Sequence, residues 1–104
     1  MSAQDVGAAD EFASGEARQV RIGACTLVIV RIEDDFYVLD DRCSHEDYSL
    51  AQGEVDCEDR TIECARHGAM FDLTDGTPQS FPATRPVARY DVVVRDGRLE
   101  VTLP

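Results

Sequence analysis

The sequence predicts an all-β fold of short antiparallel strands, with two loops inserted near the middle of the chain. Three observations carry this. Apolar residues come in strand-length runs rich in Val, Ile and Leu, bounded by Gly, Asp and Pro, and nowhere at the spacing of a long amphipathic helix. Asp96-Gly97 stands between two such runs, a dipeptide that strongly favours a tight hairpin. The chain has 104 residues, enough for one domain with one modest core.

Each element follows in order. Residues 1–15 are small and acidic. They are expected to be a flexible tail, with one helical turn or fraying over Ala8–Ala13. Val20 and Ile22 then flank Arg21 in strand alternation, and Gly23-Ala24 turns the chain into Thr26–Ile32. That run is β-branched and mostly apolar, so it is expected to be buried on both faces. Asp34-Asp35 marks the next turn and Phe36–Asp40 a third strand. Asp41–Asp59 is polar and has no clear period, and a long irregular segment in a small domain is usually functional. Thr61–Cys64 and Ala69–Leu73 are short strand candidates bracketing Ala65-Arg66-His67-Gly68. Asp75-Gly76 is a turn, and Ser80–Pro86, with two prolines, a stiff extended loop. Val87–Val94 and Leu99–Leu103 form the hairpin around Asp96-Gly97. There is no internal repeat.

Charge and composition narrow the function. The net charge is −11, from 21 acidic and 10 basic side chains, which argues against nucleic acid and anionic membrane surfaces as partners. It suits docking on a basic patch of a protein partner, and equally serves solubility. Met1–Asp10 lacks the basic and apolar regions of a signal peptide, and no run approaches the ~18 apolar residues of a membrane-spanning helix. The expectation is a cytoplasmic protein, where structural disulfides are rare. Its four Cys then point to metal ligands or free thiols.

Both histidines of the chain lie beside cysteines, as Cys43-Ser44-His45 in the long polar segment and Cys64-Ala65-Arg66-His67 in the tight turn. Thiolate and imidazole together suit borderline and soft metals, and two turns that each supply two donors make a four-ligand clamp. Such a clamp could hold one tetrahedral zinc, or a binuclear iron–sulfur unit with two Cys on one iron and two His on the other. Zinc fingers usually pair Cys with Cys and His with His; here each turn mixes the two. Cys25 and Cys57 are the spare thiols, Cys25 expected in the core and Cys57 among acids.

The pair Cys43-x-His45 and Cys64-x-x-His67 resembles the two-box signature of Rieske [2Fe–2S] proteins. The flanks are similar too: Phe36–Leu39 before the first box, Leu50-Ala-Gln-Gly53 after it, His67–Asp72 running into Asp75-Gly76, and Pro82–Pro86 as a covering loop. The likeness spans roughly residues 16–103. It implies a single domain over 1–104 of stacked antiparallel sheets, with a small cluster-binding subdomain at about 41–83. It also implies one [2Fe–2S] cluster held by Cys43, His45, Cys64 and His67, with the imidazoles facing a partner. Tyr48, Leu50, Met70 and Pro82 are candidates for an apolar collar around them. The acids Glu33, Asp34, Asp35, Asp40, Asp41, Glu46 and Asp47 are candidates for a docking face, against the default of a solvated surface.

The chain departs from the respiratory and photosynthetic branch of that family. Where those proteins carry an extra disulfide-bonded Cys in each box, this sequence has Tyr48 and Arg66. Where they place Ser and Tyr hydroxyls beside the cluster, it has Ala69 and Phe71. Fewer hydrogen bonds to sulfur imply a low potential, at about −150 mV, the bottom of the Rieske range. The shape resembles the ferredoxin component of aromatic-ring dioxygenase systems, which carries electrons from a flavin-dependent reductase to a terminal oxygenase. The chain is too short to be either of those enzymes. The alternatives are a Rieske protein of iron–sulfur assembly, a nitrite reductase small subunit, or a zinc-stabilised interaction module without redox chemistry.

Overall fold

The most apolar run of the sequence becomes the strand around which the rest is built. The computed structural model describes residues 2–42, 49–65, 68–79 and 86–103. Among them are nine strands: β1 (Ser2–Ala8), β2 (Ala17–Ile22), β3 (Cys25–Ile32), β4 (Asp35–Asp40), β5 (Glu54–Asp56), β6 (Thr61–Glu63), β7 (Met70–Asp72), β8 (Arg89–Arg95) and β9 (Arg98–Leu103). They form a six-stranded antiparallel sheet in the order β1-β9-β8-β4-β3-β2 and a three-stranded sheet in the order β5-β6-β7.

Leu27, Val28, Ile29 and Val30 of β3 are all fully buried, as expected for a strand covered on both faces. Alternation sends them into two different cores. Leu27 and Ile29 join Phe12, Val38 and the inward residues of β9, Leu99, Val101 and Leu103. The six-stranded sheet therefore curls until β9 meets β3. Val28, Val30 and Ile32 face the other way, with Leu39, onto Leu50, Ile62, Cys64, Ala69, Phe71 and Leu73. This second core lies between the two sheets. Each Val, Leu, Ile or Phe among them contributes about 1.5–3 kcal/mol by leaving water.

Turn chemistry sets the register. Asp96 (φ 52°) and Gly97 (φ 75°) both adopt left-handed backbone, as a two-residue type I′ hairpin requires. The β3–β4 turn falls on Glu33-Asp34, one residue earlier than the Asp-Asp pair suggested, with Glu33 at φ 56°.

Two elements differ from the sequence expectation. Residues 2–8 of the expected tail form β1, paired with β9 from Ser2↔Leu103 to Ala8↔Arg98, and the helical turn is a short 3-10 turn over Ala9–Glu11. Ala, Gly and Asp are poor strand formers; the partner strand supplies what propensity lacks. Arg98 adds a bidentate grip on Asp5, donating at 3.0 and 2.9 Å. Within the polar segment, Glu54–Asp56 pairs with β6 through Val55↔Ile62.

Candidate metal centre

Of the four predicted ligands, Cys64 is described; Cys43, His45 and His67 lie outside the described residues, as do Glu46, Asp47, Tyr48, Arg66 and Pro82. The structure shows how the segments bearing the two boxes are anchored.

The first begins at the end of β4. Arg42 and Ser49 form an antiparallel bridge, so the chain leaves and re-enters at one place. Just before it, Asp41 is only 3% exposed. Its Oδ2 accepts hydrogen bonds from Gln19 Nε2 of β2 and from Ser49 Oγ, both at 2.6 Å. Its Oδ1 accepts from the Ala51 N–H at 2.9 Å, and its carbonyl from the Leu50 N–H at 2.6 Å. Its own N–H donates to the Thr26 carbonyl of β3. A polar cleft of about 400 Å³ opens beside these groups, lined by Gln19, Thr26, Asp40, Asp41, Arg42 and Ser49. Burial, then the charge of Asp41, pushes the Asp40 carboxyl above its usual range, while Arg42 opposes this.

The chain then makes a 3-10 turn over Leu50–Gln52 and reaches Gly53. A Cβ on Gly53 would stand 1.7 Å from the Glu63 carbonyl oxygen, so only glycine lets the backbones come this close. Glu63 precedes Cys64, and Leu50 and Cys64 share the core between the sheets. The exit of the first box and Cys64, the first residue of the second, are thereby packed as one unit.

The second segment is a hairpin between β6 and β7. The Cys64 N–H donates to the Ala69 carbonyl at 2.7 Å, and the Gly68 N–H to the Cys64 carbonyl at 3.0 Å. Gly68 sits at φ 75°, left-handed backbone that suits glycine. Cys64 is 1% exposed and in no disulfide. A buried cysteine outside any disulfide, at the base of a glycine turn, fits the thiolate donor of a metal cluster, in a setting that keeps water away.

Other expectations divide. Ala69 and Phe71 are fully buried and offer no hydroxyl. Cys25 and Cys57 are free, Cys25 half-buried against the curled-sheet core and Cys57 exposed. Leu50 is fully buried, so it does not form an exposed collar; its place is the core, while Met70 is half-buried. The described acids do not share one face. Asp41 is interior, and Glu33, Asp34 and Asp35 lie at the opposite end of β4, roughly 20 Å away at strand rise. Asp35 is bound there by Arg60 at 2.7 Å, which also donates to the Tyr37 hydroxyl at 2.6 Å. Asp41 is the residue whose part sequence reasoning missed. The available signal was an Asp before an irregular segment and a Ser after it, both residue types that hydrogen-bond nearby backbone.

Comparisons with known proteins agree with this architecture. The family model of the Rieske [2Fe-2S] domain matches residues 2–91. Ferredoxin CarAc of Metapseudomonas resinovorans is 38% identical over 97 residues, 92% of this chain and 89% of that one. The ferredoxin of carbazole 1,9a-dioxygenase from Nocardioides aromaticivorans IC177 superposes with a TM-score of 0.96 at 29% identity, covering 100% of both chains. A chain in the complex of reduced oxygenase and oxidised ferredoxin in carbazole 1,9a-dioxygenase matches with a TM-score of 0.90 at 37% identity, over 96% of this chain and 92% of that one. The chain belongs to the Rieske [2Fe–2S] domain family, and the group it is built to hold is a [2Fe–2S] cluster.

Proposed function

We propose that the protein is a soluble, low-potential Rieske ferredoxin of the cytoplasm, taking one electron at a time from a flavin-dependent reductase and delivering it to a terminal oxygenase. The observation that carries this is the full-length likeness to ferredoxins of dioxygenase systems, one of them solved together with its oxygenase. The chain is an electron-transfer component, and catalysis belongs to the partner. Cys43, His45, Cys64 and His67 would hold the cluster, within one domain over 1–104 whose cluster-binding part spans about 41–83. The small β5-β6-β7 sheet and the Asp41 anchorage support that division.

When bound, a [2Fe–2S] cluster supplies one reversibly exchanged electron. The chain's own residues do the rest. The buried Cys64 presents its sulfur in a dry setting, where electrostatic interactions are strong. Ala69 and Phe71 withhold hydroxyl donors and so favour a low potential. The Gly53–Glu63 approach brings the chain that leaves the first box against the strand that leads to Cys64.

The test is iron and acid-labile sulfide analysis of protein purified without oxygen, with electron paramagnetic resonance (EPR) after reduction. The reading expects a red-brown protein with iron and sulfide in equal amounts. Its reduced signal should have an average g below the free-electron value, abolished by His45→Ala or His67→Ala. A colourless, zinc-loaded protein would contradict it. Stopped-flow mixing with a dioxygenase reductase and oxygenase then checks the carrier role.

A further inference from the structure

We propose that Asp41 is a positioning residue that latches the first ligand-bearing segment, fixing the donors of Cys43 and His45 relative to Cys64. The inference rests on the cluster reading above. Asp41 is nine-tenths or more buried, yet every bond it makes ties a different part of the chain to the root of this segment. Gln19 brings in β2, and the Thr26 carbonyl brings in β3. Ser49, Leu50 and Ala51 bring in the returning chain. Both carboxylate oxygens thus tie the chain entering this segment to the chain returning from it, at Ser49 and Ala51.

A buried carboxylate with three donors is costly to assemble unless each bond is made. In a domain this small, a Ser or Thr could cap such a segment more cheaply. What the carboxylate adds is rigidity in three directions at once. This is what two ligands need when they share a cluster with two others on a separate hairpin. The Gly53–Glu63 contact passes the same constraint on to Cys64. Without the Asp41 carboxylate, the root keeps its backbone bonds to Thr26 and Leu50 and the Arg42–Ser49 bridge, but loses the side-chain ties to Gln19, Ser49 and Ala51.

The experiment compares holo-protein of the wild type with Asp41→Ala, Asp41→Asn and Val101→Ala. Val101 lies in the curled-sheet core and serves as a control for general loss of stability. Two properties are read: the rate of bleaching by bathophenanthroline disulfonate, and the EPR spectrum of the reduced protein. Asp41→Ala should lose its cluster at least about tenfold faster, the low end of what a lost supporting contact costs a metal site. Its EPR lines should shift or broaden. Asp41→Asn keeps one acceptor, enough for the Ala51 N–H, but puts an amide N–H₂ where Oδ2 accepts from Gln19 and Ser49, and should fall between Asp41→Ala and the wild type. Val101→Ala should bleach at the wild-type rate below its melting range, with an unchanged spectrum. Should Asp41→Ala fail to fold, Ser49→Ala and Gln19→Ala each remove one donor and should each accelerate bleaching. Wild-type bleaching and an unaltered spectrum in Asp41→Ala, or in both substitutes, would overturn the proposal while leaving the cluster reading intact. Wild-type protein without iron would overturn both.

Discussion

Cys64, Ala69 and Phe71 sit within one core, a thiol beside two side chains that carry no hydroxyl. The family was legible because Cys-x-His and Cys-x-x-His put unlike donors one and two residues apart, a pattern with few other uses. Asp41 was not legible, because its partners Gln19 and Thr26 come from strands far away in sequence, and nothing local marks an Asp as interior. Two predictions belong to this scale. The midpoint potential should lie near about −150 mV, and a value above about +100 mV, within the span of Rieske centres, would defeat the argument from missing hydroxyls. Ala69→Ser returns one hydroxyl to the ligand hairpin. It should raise the midpoint in a redox titration, with the EPR spectrum otherwise kept; an unchanged midpoint would locate the cause of the low potential elsewhere.

Strands and their contacts explain why the ligand hairpin stays in register. β3 was read directly, since an apolar β-branched run has only one economical place, between two cores. The Asp96-Gly97 hairpin was read as directly, from the left-handed backbone it demands. β1 and β5 escaped because their residues carry little strand propensity and owe their form to β9 and β6. The narrowest contact between elements is Gly53 against Glu63. Gly53→Ala forces backbone apart there and should cost about 1–3 kcal/mol in urea denaturation, with faster cluster loss. Ile29→Ala, in the curled-sheet core, should cost more, about 2–5 kcal/mol, yet leave the midpoint potential alone. If Ile29→Ala moved the potential and Gly53→Ala did not, the division of labour between the two cores would be wrong.

Over the whole molecule, a charge of −11 makes pH the natural lever on stability. Hydrogen bonds from Arg98 and from the Gly7 N–H hold Asp5 below the usual carboxylate range. Glu16 is lowered by the Ala13 N–H and then Arg18, and Asp75 by Thr77. Groups lowered on folding contribute stability in full above their unfolded values, about pH 3.8 for Asp5 and Asp75 and about 4.5 for Glu16, and lose it as pH falls through the depressed values. Asp40, raised by burial, works the other way: its share is present at low pH and lost as pH rises through the raised value. Asp5→Asn should therefore melt below the wild type at neutral pH, the gap closing under about pH 3.8; a gap that persisted there would contradict the Asp5–Arg98 linkage. The acids proved to be spread over both ends of β4 rather than gathered, because a strand's length separates residues that composition lumps together. The central claim is that two thiolates and two imidazoles, one of each from either box, hold the cluster. Electron–nuclear double resonance on reduced protein carrying ¹⁵N-histidine tests it most directly. The chain has two histidines, so two inequivalent ¹⁵N couplings, both replaced by ¹⁴N couplings in unlabelled protein, are the predicted result; a reduced cluster with no histidine coupling would contradict it.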